Sequence, residues 1–145
     1  MTHDQSPDYA YVPGQTDRHS DDAFNAIRET ASPGLCAHEL ACCNAFLTGL
    51  RFIDTGFYWE AHEVLEPVWM ALPDNSIEKQ FVQGLIQLAN GRLKLRMGRQ
   101  KAALRLVGQA RGLVPCGTSS TIMTLDVQEV HRWIDALEAD IINTL

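Results

Sequence analysis

Apolar residues recur at steps of three and four along most of the chain, the repeat of amphipathic helices. Over 37–54 the stripe is Leu40, Cys43, Leu47, Leu50 and Ile53, and Thr55-Gly56 ends that helix, with Gly56 suited to a left-handed cap. A second apolar face, Tyr58, Ala61, Leu65, Val68 and Leu72, predicts a helix over 57–72. From Ser76 to Met97 the chain is apolar on more than one side, through Phe81, Leu85 and Leu88 and through Val82, Ile86, Ala89 and Leu93. Such a helix belongs at the centre of a bundle. Gly84 and Gly91 each weaken it by about 1 kcal/mol relative to alanine, which suits positions where a neighbouring helix comes close. Gly98 stops it. Ala103, Leu106, Ala110 and Leu113 mark the next helix, and Val127, Val130, Ile134, Leu137 and Ile141 the last, over 126–143.

Two weaker signals complete the outline. Ser20-Asp21-Asp22 can cap a short helix carrying Phe24 and Ile27, ended by Ser32-Pro33-Gly34. Asn75 with Glu78 three residues on has the form of a capping box. Residues 1–19 show no apolar periodicity and predict an N-terminal arm, flexible or laid over the surface, with Tyr9, Tyr11 and Val12 as anchors. Pro115 to Ser120 is a polar loop. No stretch alternates with period two, so no sheet is expected. The fold class is all-α: a compact antiparallel bundle of five to six helices, one domain over 20–145.

Composition narrows the setting. The chain has 145 residues, 46% hydrophobic and 21% charged, with a net charge of −6. No apolar run is long enough to span a bilayer, and the polar N-terminus lacks a signal peptide, so a cytoplasmic protein with reduced thiols and no membrane partner is expected. Charge is divided unevenly. Phe52 to Glu78 holds six acidic residues and no lysine or arginine, whereas Lys79 to Leu125 holds eight of the twelve basic residues and no acid. The bland reading is an acidic helix beside basic ones. The sharper reading is a basic face for an anionic ligand. General nucleic-acid binding is disfavoured by the net charge and by the lack of interleaved aromatics.

Chemistry concentrates in Gly56–Leu72, which contains Glu60, His62, Glu63, Glu66 and two of the three tryptophans, Trp59 and Trp69. His62 and Glu66 are four apart on one helix and can touch or share a ligand. Glu63 is within reach, and Glu60, on the other flank, is a further candidate for the binding pocket. Gln83 and Gln87 on the next helix, again four apart, would face His62 and Glu66 if those helices pack, forming a connected polar pocket with Trp69 at its edge. Three readings follow: a divalent-metal site built on His62 and Glu66; acid–base chemistry by His62, Glu63 and Glu66; or a structural network. H-E-V-L-E is not the H-E-x-x-H of zinc proteases, and Trp59 stands where a di-iron E-x-x-H pair needs an acid. Pro67 has no N–H for the Glu63 carbonyl, so a kink is expected there, leaving that carbonyl open to water or a ligand. Cys36, His38, Cys42 and Cys43 are further metal candidates, with core packing the simpler role for Cys43. Trp133, beside His131, would mark a homo-oligomer face if exposed.

Two motifs carry a family resemblance. Gly56, Tyr58, Glu60-Ala61-His62-Glu63, Leu65-Glu66 and Trp69 fit G-x-Y-x-E-A-H-E-x-L-E-x-x-W, and Gln83–Gln87 with Ala89 fit Q-G-L-I-Q-x-A. On these residues the chain resembles the prokaryotic family of domains of unknown function number 309, over about 46–113. The resemblance implies a compact all-helical domain without an established activity. It also implies a histidine late in the second motif helix, where this chain has Leu93-Lys94, which weakens the metal reading. Two functions remain: a polar His/Glu/Gln pocket that binds a small molecule or metal, with or without catalysis, or a non-enzymatic interaction module in which that network is structural.

Overall fold

A computed structural model describes residues 6–116 and 120–145. The first five residues of the expected arm, and 117–119 of the expected 115–120 loop, lie outside the described residues. Among the described residues seven helices form: α1 (Asn25–Arg28), α2 (Ala37–Ala41), α3 (Asn44–Thr55), α4 (Tyr58–Ala71), α5 (Ile77–Arg96), α6 (Gln100–Leu113) and α7 (Val127–Ile142). The fold is all-α as expected. None of these helices is long and apolar enough to cross a membrane.

α5 is the centre. Phe81, Val82, Leu85, Leu88 and Ala89 are buried along it, and it packs against α4, α6 and α7. α3 packs on α4, and short connections join α3 to α4, α4 to α5 and α5 to α6. The two glycines of α5 work as expected. A Cβ on Gly84 would lie 2.7 Å from Val114, and one on Gly91 would lie 2.8 Å from Leu137. Gly56 has φ +90° and caps α3, so α4 begins two residues later.

Several expectations need correction. The helix predicted over 37–54 is two helices, broken at Cys42–Cys43. Cys43 is extended, and the Thr30 hydroxyl accepts the Ala45 N–H at 2.8 Å, capturing one of the amides a helix start leaves free. The break rotates the stripe: Ala45, Phe46, Gly49 and Phe52 are buried, while Leu47 is 50% exposed. α1 is a single turn, because 21–24 form a turn in which the Ser20 carbonyl accepts the Ala23 N–H. α5 is capped by Ser76, whose hydroxyl accepts the Lys79 N–H at 3.1 Å, and Asn75 instead takes a left-handed φ of 63°. On α6, Val107 lies in the core with Ala103 and Ala110, where Leu106 and Leu113 were expected. One small sheet does form: β1 (Thr121–Ile122) pairs antiparallel with β2 (Leu125–Asp126). Met123 and Thr124 between them both have positive φ, the requirement of a type I′ hairpin turn. Strands of two residues are too short to show alternation in the sequence.

Candidate functional site

α4 is fixed at its start by Arg96 from α5, which donates to the Gly56 carbonyl at 2.5 Å and stacks 4.4 Å from the Tyr58 ring. Ala61, Val64, Leu65 and Val68 face the core. That leaves two flanks, and the ionisable residues divide between them.

On one flank, His62 Nε2 lies 3.4 Å from Glu66 Oε2, and His62 Nδ1 lies 3.8 Å from Glu63 Oε1. Arg28 of α1 reaches the same group, 3.7 Å from Glu63 and 3.9 Å from Glu66. Its guanidinium also donates a hydrogen bond to the Glu63 carbonyl. α4 is continuous through Pro67, and the carbonyl that Pro67 leaves without an N–H is taken by Arg28. The expectation that water or a ligand fills that place is therefore corrected. An interior proline is tolerated because a cation supplies the missing donor.

His62, Glu66 and Trp69 from α4 line an open groove of ≈ 370 Å³ with Gln83, Gln87 and Asn90 from α5. The structure thus brings together the two predicted halves. It does not join them, since among the described residues neither amide hydrogen-bonds His62 or Glu66, and both stay half-buried. Trp69 also walls a second groove, of ≈ 490 Å³, which shares Gln83 with the first. There Lys79 Nζ sits 4.3 Å from the Trp69 ring centre and 2.8 Å from Asp74. The Lys79 hydrogen bond and charge hold the Asp74 carboxyl below its ordinary value.

Glu60 does not line either groove. It is fully buried on the opposite flank, under the N-terminal segment. Its Oε2 accepts the Tyr11 N–H at 2.7 Å and meets His19 Nε2 at 2.6 Å. Tyr9 stacks on the His19 ring at 4.7 Å, and Tyr11 packs edge-on against Trp59 at 5.0 Å. Val12 is buried with them. His19, Tyr11 and Arg28 were not among the predicted site residues. Arg28 had a signal, since six acids over 52–78 with no local cation, and a carbonyl freed by Pro67, call for a donor from elsewhere, and Tyr11 was expected as an anchor of the arm but not as a partner of Glu60.

The remaining candidates are dispersed. No group of three or more His, Cys, Asp or Glu suited to a metal ion occurs among the described residues, so Cys36, His38, Cys42 and Cys43 do not converge on one. His131 Nε2 meets the Pro115 carbonyl at 2.7 Å. Trp133 is half-buried against the core, its Nε1 donating to Glu129 at 3.1 Å.

With the two α4 flanks described, the comparison with known families can be placed on them. Residues 46–106 match the family model described as a domain of unknown function, DUF309. The resemblance to that family therefore holds, over a match that starts where expected and ends at 106 rather than about 113. No curated protein and no solved structure matches the chain. The matched DUF309 segment contains α4, α5 and the groove between them. It leaves out Arg28, His19 and Tyr11, so the cation beside Glu63 and Glu66 and the partners of Glu60 Oε2 come from outside it.

Proposed function

We propose that the α4–α5 groove binds a small polar molecule. The observation that carries this reading is the convergence of His62, Glu66, Gln83, Gln87 and Asn90 on one groove of ≈ 370 Å³ walled by Trp69. A few polar groups against an apolar wall, in a cleft of that size, are what small-ligand recognition uses. Gln83 and Gln87 supply donors and acceptors without charge. His62, oriented by Glu66, is the proton acceptor, and Glu63 is the second carboxylate, held in place by Arg28. A divalent metal on His62 and Glu66 is the weaker form of this proposal. The Arg28 guanidinium stands beside both carboxylates, so a cation is already there.

The same Arg28 contacts favour a second reading, in which the cluster is structural and the protein is an interaction module. Met70, 62% exposed at the groove, would then be part of the docking surface. The four free cysteines support a cytoplasmic setting for either.

Amide-detected NMR separates the two. The purified chain is titrated with amino acids, nucleosides and monosaccharides. The first reading expects one class to saturate, with shifts at 62, 66, 83 and 87, and expects Gln83→Leu/Gln87→Leu to abolish them while the melting temperature is kept. If no class perturbs these residues, and His62→Ala mainly lowers the melting temperature, the groove reading fails and the structural one stands.

A further inference from the structure

A further cleft lies away from the His62 groove and shares no residue with it. It measures ≈ 670 Å³ and opens between α3, α5, β2 and α7. Leu88 forms part of its floor, and Leu50, Ile53, Leu125 and Trp133 rest on the core around it while remaining partly exposed. Apolar side chains left half-covered around one cleft favour a ligand with an apolar body, because burial of that surface drives binding. The Trp133 ring is oriented by its bond to Glu129.

Charge at the mouth selects the other end of the ligand. Arg51 and Arg92 both line the cleft, and Arg96 stacks on its Tyr58 wall. Arg92 is neutralised by Asp140 at 2.5 Å. Arg96 bonds only a neutral carbonyl, that of Gly56, and so keeps its charge. Arg51 is exposed and has no ion-pair partner among the described residues. Asp54 is the one carboxylate that lines the cleft. Two uncompensated guanidiniums against one carboxylate leave the mouth net positive. Guanidinium is also the side-chain group that binds carboxylate with two parallel hydrogen bonds.

We propose that this cleft is a binding site for a small amphipathic carboxylate, with the apolar body over Leu88 and Trp133 and the carboxylate at Arg51, the lining guanidinium without an ion-pair partner among the described residues. It gives a specific location to the basic stretch after Lys79, from which Arg92 and Arg96 come. The proposal is independent of the α4–α5 groove.

The probes are octanoate and octylammonium, which share an apolar chain and differ in the sign of the head. Binding is followed by amide NMR and calorimetry on the full chain. Octanoate is expected to saturate and to shift residues 50–54, 133 and 136, with octylammonium at least about tenfold weaker. Ala136 is exposed at the rim, so Ala136→Trp fills the cleft from the surface and should abolish octanoate binding. Arg51→Glu, also at an exposed position, should weaken it about tenfold or more. Melting curves of both variants confirm that they are folded. The proposal is overturned if octanoate does not saturate, if octylammonium binds equally well, or if folded Ala136→Trp binds octanoate as the parent does.

Discussion

Glu60 and His62 stand two residues apart on α4, and a helix turns about 200° over that step. The consequence is two different environments for neighbouring ionisable groups of one motif. Glu60 is sealed, with both contacts of its Oε2 supplied by a segment more than forty residues away in the chain. His62 faces an open groove, and its contacts to Glu63 and Glu66 are longer than hydrogen bonds. Burying a carboxylate is costly unless it is partnered, and Oε2 takes its two partners from the N-terminal segment while Oε1 has none among the described residues, so the Glu60 flank reads as construction centred on Oε2. A half-exposed cluster has water as an alternative, so its groups are free to meet something else.

The largest test of that contrast is Glu60→Ala. It leaves the Tyr11 N–H and the His19 ring without their acceptor and unpins residues 9–19. A loss of about 3 kcal/mol is expected, the scale of removing one partner from a buried hydrogen-bonded pair. Urea denaturation measures it. Cleavage by trypsin at Arg18 should also accelerate, since that residue already lies on the surface. A near-neutral Glu60→Ala would show that the sealed flank is not structural.

The second test concerns what joins the flanks to the rest of the fold. Arg28→Ala removes the donor to the Glu63 carbonyl and should cost about 1–2 kcal/mol. In a Pro67→Ala background the new N–H can serve that carbonyl, so the same substitution should cost about 1 kcal/mol less. The double-mutant cycle is read from chemical denaturation. Additive effects would mean that Arg28 does not compensate for the proline.

These two sites also show where the sequence was legible. α7 is recovered residue for residue, because sixteen residues of unbroken three-four pattern leave one solution. α5 is recovered for the same reason, with its glycine contacts. The 37–54 stretch misled because Cys43 fits the spacing of Leu40 and Leu47, so periodicity runs through a break made by a tertiary contact, Thr30 to Ala45. The groove was legible as two pairs of polar residues at spacing four. The pairing of Glu60 was not: Tyr11 was legible as an anchor of the arm, but a segment without periodicity does not say where it docks, and His19 carried no signal. Pro67 announced a free carbonyl without naming its donor.

His62→Ala should have little effect on folding, about 0.5 kcal/mol or less, as expected for weak contacts of half-exposed ionisable groups. Set beside Glu60→Ala, it measures the contrast directly: one motif residue holds the fold and its near neighbour does not. A loss for His62→Ala comparable to that for Glu60→Ala, in matched melts, would collapse the distinction and move the cluster to the structural reading.

The smallest effect is expected at the far end of the groove system. Lys79 holds the Asp74 carboxyl below its ordinary value, by hydrogen bond first and by charge second. A carboxyl lowered in the folded state contributes stability that is fully present above the unfolded value and is lost as pH falls through the folded one. The pair should therefore add a little to neutral-pH stability, an increment lost on the acid limb below the usual carboxylate range. Asp74→Asn should lower the neutral plateau of a melting-temperature profile slightly and flatten its acid limb, the two profiles meeting at low pH. Asp74 is largely exposed and the Lys79 side chain is not, so Lys79 should stay on Trp69 in the variant and tryptophan emission should hold. Changed emission would mean that Asp74, rather than the Trp69 ring, positions Lys79 at the groove.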